Sequence, residues 1–171
     1  LRRRALRPAL ALWPWVLAFG AIEMAGPFLL LGHAEQTLPS GLTGLLVATV
    51  PLFATGIALV RGDRSALSPA RAVGLVVGFA GLVVIVAGPG LAVAEPAQAL
   101  GAIAQVLLVA LLYAIAPFII ATKLAHVPSL GTITLSLLAV GLAYLPFALL
   151  TQHELPTVRS GLSLVALGIL C

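Results

Sequence analysis

The sequence predicts an all-α, polytopic transmembrane helix bundle, and three observations predict it. The 171 residues are 61% hydrophobic and only 8% charged, against roughly 45–50% and about 25% in soluble domains. The mean hydropathy is +1.20. Apolar runs lie at 11–32, 41–60, 72–94, 99–122 and 129–150, with a shorter run at 160–171. Each of the first five meets the span requirement of roughly 20 residues. The short loops between them alternate in charge. Such a chain cannot cover itself with polar surface. In lipid its backbone groups have no water to bond, so the runs must be helices.

The first run, 11–32, follows the basic stretch LRRRALR and carries Trp13 and Trp15 where an interfacial aromatic belt is expected. Glu23 lies near its centre. A carboxylate there costs about 2.5–3.5 kcal/mol on insertion scales. Phe19, Gly20, Glu23, Gly26 and Pro27 share one helical face, and its glycines leave room for a neighbour, a ligand or water. Glu23 reads as a cavity residue that binds substrate or carries a coupling proton. The competing reading is a hydrogen-bonded packing residue.

The second run, 41–60, starts at Pro39-Ser40. Gly44, Ala48, Pro51, Thr55 and Ala58 form a small, slightly polar face, which suits either a cavity wall or a close helix contact. The third, 72–94, is introduced by Ser68-Pro69, an N-cap followed by a first-turn proline. Gly74, Gly78, Gly81 and Gly88 stripe one side of it. Small stripes let membrane helices approach closely, so this one implies tight packing inside the bundle or a homodimer interface.

The fourth run, 99–122, places Gln105 and Tyr113 on one strip with Val109, Ala116 and Pro117. The two polar groups suit a ligand or helix-to-helix hydrogen bonds. The fifth, 129–150, starts at Pro128-Ser129 and carries Thr132, Thr134, Ser136 and Tyr144. Its hydroxyls are expected to bond their own helix backbone. Pro27, Pro51, Pro117 and Pro146 sit inside four runs, and each is expected to bend its helix. Kinked helices line the sites of many transporters.

Eight Lys/Arg fall on one side of the predicted membrane: Arg2, Arg3, Arg4, Arg7, Arg61, Arg64, Arg71 and Lys123. Only Arg159 falls on the other. The positive-inside rule makes the N-terminus cytoplasmic. The net charge of +4 thus reports orientation and not nucleic-acid binding. The single cysteine, Cys171, excludes an internal disulfide. His33, Glu35, His126 and His153 lack metal-ligand spacing, so no metal site is expected. No nucleophile elbow, phosphate loop or clustered carboxylates appear, so neither an enzyme nor a cofactor is expected.

The run LPSGLTGLLVATVPLFATGIALVRGDRSALSPARAVGLVVGFAGLVVIVAG resembles the core of EamA-type transporters, in the drug/metabolite transporter superfamily. The features that carry the resemblance are Val50-Pro51-Leu52-Phe53, the turn Gly62-Asp63-Arg64, the start Ser68-Pro69 and the stripe Gly74, Gly78 and Gly81. The family more often has Glu where Asp63 stands. The resemblance implies a fold of ten helices in two inverted five-helix repeats. In that register residues 1–94 are the C-terminal part of the first repeat and 99–171 the N-terminal part of the second. The chain would run from the third helix into a cut eighth, with helices missing at both ends. The resemblance further implies a multi-pass protein of the plasma (inner) membrane. It would export small metabolites, amino acids or drugs by alternating access around a cavity lined by the third, fourth and sixth helices. Those helices carry Gly20, Glu23, Pro27, Pro51, Thr55, Gln105 and Tyr113. A non-transporting membrane scaffold is the alternative, and a membrane-embedded enzyme a more distant one.

Overall fold

A computed structural model describes residues 2–63, 68–86, 96–151 and 157–170. Nine α-helices are found among them, with no strand: α1 (Arg2–Ala11), α2 (Trp13–Gly20), α3 (Gly26–Ala34), α4 (Ser40–Val47), α5 (Val50–Val60), α6 (Pro69–Val86), α7 (Pro96–Lys123), α8 (Ser129–Thr151) and α9 (Val158–Leu170). One π-helical turn, Ala21–Ala25, joins α2 to α3. Trp13–Ala34, Ser40–Val60, Ala99–Lys123 and Ser129–Thr151 are long and apolar enough to cross a membrane. The 72–94 run is described only to Val86, so Gly88 lies outside the described residues, as do Arg64, His153 and Cys171. The chain divides into two compact units, residues 1–140 and 141–171, with α8 crossing the boundary.

The helix starts follow the sequence signals. Pro69 opens α6, and the Ala72 amide bonds the Ser68 carbonyl. Ser40 and Ser129 each open a helix after a proline. In the second unit the hydroxyl of Thr157 accepts the Ser160 amide at 3.3 Å, capping α9. The α5 end is a glycine stop. The Gly62 amide bonds the Leu59 carbonyl and the Asp63 amide the Ala58 carbonyl, and Gly62 has φ +87°. This is the Schellman pattern, in which glycine takes the left-handed position without steric cost.

Two breaks have proline causes. Pro51 has no N–H to give the Val47 carbonyl, and the helix separates into α4 and α5 around Ala48 and Thr49. The Thr49 hydroxyl donates to the Leu46 carbonyl at 2.6 Å across this break. Pro14 acts likewise at the membrane entrance. It occupies the first turn of α2, and the chain breaks at Leu12, so the run expected from residue 11 begins at Trp13. Pro117 and Pro146, expected to bend their helices, lie inside α7 and α8, which continue through them.

In the first unit α7 is the central helix. It packs against α2, the π-helical turn, α3, α4 and α5. One apolar cluster unites Ala9, Val16, Phe19, Ala116, Leu124 and Val127. A second unites Ala34, Leu38, Ala99, Ala102 and Val106. They lie towards opposite ends of the first span and α7. Large apolar side chains also cover the outside: Phe28, Leu29, Leu52, Leu130 and Leu138 are all more than half exposed. An apolar exterior of this extent fits lipid rather than water. The chain is a membrane-embedded helix bundle.

Candidate functional site

The helical wall widens where the mid-membrane carboxylate stands. Pro27 cannot bond the Glu23 carbonyl, and its ring crowds that carbonyl. A turn with one extra residue relieves the crowding: the Gly26 amide reaches the Ala21 carbonyl, five residues back. Such π-turns are frequent at functional sites. A side chain at Gly26 would meet the Ala21 oxygen at 3.2 Å and Leu112 Cδ1 at 3.3 Å. Glycine therefore permits both the turn and the approach of α7.

Glu23 occupies the middle of this turn, and of the span Trp13–Ala34. Its Oε2 is buried and makes no hydrogen bond among the described residues. Across the helix contact stands Tyr113 of α7, near Glu23. Both side chains are half-buried. In depth the pair falls between the two apolar clusters, since Phe19 and Ala116 belong to one and Ala34 and Val106 to the other. A carboxylate between apolar layers interacts strongly with whatever charge or proton reaches it.

Of the predicted strip on α7, Pro117 is exposed. Val109 and Ala116 are fully buried, and Gln105 and Tyr113 both face the first span. Gln105 is not beside Glu23, however. Its Oε1 lies 3.0 Å from Nδ1 of His33, near the exposed end of α3. Nothing in the local sequence around His33 points to this partner. Its link to Gln105 depends on the antiparallel register of α3 and α7, which no local motif encodes.

Other predicted cavity residues go elsewhere. Gly20 is buried against α8: a Cβ there would lie 3.2 Å from Ser136 Cβ and 3.4 Å from Val140 Cγ2. It is a helix-contact glycine, because the space its missing side chain leaves is filled by α8. The Ser136 hydroxyl, expected to bond its own helix, donates instead to the Val16 carbonyl at 3.1 Å. Pro27 is fully buried and offers no open wall.

Pro51 and Thr55 line a different place, a cleft between α4–α5 and α6. One part, of about 430 Å³, is bounded by Ala48, Pro51, Leu52, Gly74, Gly78 and Phe79, with Leu75. The adjoining part, of about 350 Å³, shares Pro51 and Leu75 and adds Thr55, Asp63 and Arg71. Neither Glu23 nor Tyr113 lines it. The Thr55 hydroxyl donates to the Pro51 carbonyl at 2.7 Å, as membrane threonines commonly do. At Gly74, Gly78 and Gly81 an added Cβ would meet nothing within 4 Å, so no described neighbour fills the space of the stripe.

One end of the bundle carries paired cations and rings. Lys123 Nζ sits 4.9 Å from the Trp15 ring centroid, and the Arg61 guanidinium 5.1 Å from that of Phe118. These contacts bring the start of α2 and the ends of α5 and α7 to one face, as the charge alternation of the loops requires. No group of His, Cys, Asp or Glu suited to a metal ion is found among the described residues. No family model, curated protein or solved structure matches the chain.

Proposed function

We propose that this chain is the membrane core of a secondary transporter of small metabolites, of the EamA type, working by alternating access with Glu23 as its proton-carrying residue. The observation that carries the reading is Glu23 itself. A mid-membrane carboxylate with a buried, unbonded oxygen faces a tyrosine across a widened helix turn. Ionisable residues inside a membrane mark substrate, ion or proton pathways as a rule, because their insertion cost is otherwise unrewarded. The interrupted helix at the π-turn is the kind of element by which transporters line a mid-membrane site. The charge distribution supports a cytoplasmic N-terminus. The resemblance of residues 38–88 to EamA-type transporters supports the ten-helix inverted-repeat architecture and implies export or exchange.

The test uses the complete protein in liposomes loaded with a pH-sensitive dye and challenged with a panel of amino acids. The reading expects proton movement on addition of a transported member, lost in Glu23→Gln and slowed in Tyr113→Phe. Equal proton movement and uptake in wild type and Glu23→Gln would overturn it.

A further inference from the structure

Basic residues gather at the corner where α1, the start of α2 and the end of α7 meet. Ala9, Val16, Leu124 and Val127 share one apolar cluster, which sets α1 beside the end of α7. Arg2, Arg3, Arg4 and Arg7 all belong to α1. Lys123 closes α7, and its Nζ lies 4.9 Å from the Trp15 ring centroid. Arg7 and Lys123 are exposed. Neither residues 1–22 nor residues 96–153 contain an Asp or a Glu, so the elements that build this corner bring no acid of their own. Asp63, at the end of α5, already has an interaction elsewhere to satisfy it. The Trp15 ring does not neutralise Lys123. A ring face attracts a cation but carries no net charge, and one face cannot take all three N–H donors of an ammonium.

We propose that this corner binds the headgroup of an anionic phospholipid, with the phosphate at Lys123 beside Trp15 and the net negative charge matched by Arg7 and the other arginines of α1. Three observations select this occupant. The first is the charge: a cluster of cations beside a membrane span attracts anionic lipid, at about fivefold per Lys or Arg near the surface. The second is the missing acid. A zwitterionic headgroup brings an ammonium that would find only like charges here, whereas an anionic one does not. The third is the apolar surface next to the cations. Leu10 and Trp13 are 55% and 59% exposed, and Trp15 is 40% exposed. A soluble anion would leave those side chains uncovered, and a lipid covers them with its glycerol and acyl groups. The Lys123 ammonium is held over an interfacial indole, at the level where lipid phosphates lie. The site is separate from Glu23 and Tyr113 and depends on the chain lying in a membrane, not on transport.

The sequence has two tryptophans, Trp13 and Trp15, and both stand at this corner. Quenching of their fluorescence by brominated acyl chains therefore reads the lipid beside them. The full-length protein is reconstituted in vesicles of phosphatidylethanolamine with a minor fraction of phosphatidylglycerol, one lipid or the other carrying the bromines. Thermal melting confirms folding of each variant. The expected result is quenching by brominated phosphatidylglycerol as though it were enriched about fivefold over its bulk fraction. The enrichment is kept in Lys123→Arg, lost in Lys123→Gln, reduced in Arg7→Gln, and weakened by added salt. Quenching that follows bulk composition in the wild type overturns the proposal, as does an unchanged enrichment in Lys123→Gln. Full displacement of the lipid by excess glycerol phosphate also overturns it, since a soluble anion would then suffice.

Discussion

The contact between Gly20 and Ser136 offers a quantitative test of how the helices pack. Gly20→Ala adds one methyl group to α2. Its carbon would lie 3.2 Å from Ser136 Cβ, 3.4 Å from Val140 Cγ2 and 3.5 Å from Ser136 Cα. Carbon pairs are most stable at about 3.5–4.0 Å, so α2 and α8 must part by roughly 0.3 Å or repack. Overpacking of this kind costs about 1–3 kcal/mol. Alanine recovers about 1 kcal/mol through its higher helix propensity. The net loss expected for Gly20→Ala is therefore about 1 kcal/mol. Ser136→Gly removes the Cβ that is struck first, together with the hydroxyl bond to Val16. Interhelical bonds in membranes are worth about 0.6 kcal/mol on average, so this change is mildly destabilising alone. In the Ser136→Gly background, Gly20→Ala should become neutral or stabilising. Reversible unfolding in mixed detergent micelles, run as a double-mutant cycle, should give a favourable coupling of about 1–2 kcal/mol. An identical cost for Gly20→Ala in both backgrounds would refute the packing argument.

Two further outcomes are expected. Trp15→Leu and Lys123→Gln should be non-additive by about 0.5–1 kcal/mol in the same unfolding assay, since one cation–π contact joins α2 to the end of α7; full additivity would count against the contact. Pro51→Ala should restore the amide that α5 lacks and fuse α4 with α5, read as slowed hydrogen exchange at residues 49–52; unchanged exchange would show that the break has another cause.

What could be read in advance follows from where the information resides. Hydropathy is summed over some twenty residues, so the spans 41–60, 99–122 and 129–150 agree with the observed helices within a few residues. Caps such as Ser68-Pro69 are local chemistry and are equally visible. Pro14 was legible in principle, as a proline near the start of a span, but its break at Leu12 moves the membrane entrance to Trp13. The π-turn was not legible, because it arises from which carbonyl the Gly26 amide selects once Pro27 has withdrawn from the pattern. Gly20 shows the limit most clearly. A small residue on a polar-looking face marks either an opening or a close contact. The choice is made by Ser136, which is far away in sequence. The separation of Pro51 and Thr55 from Glu23 and Tyr113 is likewise a matter of which helix stands next to which.

The proposed proton pathway requires Glu23 and Tyr113 to act as one pair at mid-membrane. Infrared difference spectroscopy of the full-length protein, scanned across pH values on both sides of neutrality, tests it most directly. The expected result is a protonated-carboxyl stretch that titrates, disappears in Glu23→Gln and shifts in frequency in Tyr113→Phe. A carboxyl band that survives Glu23→Gln, or one that ignores Tyr113→Phe, would contradict it.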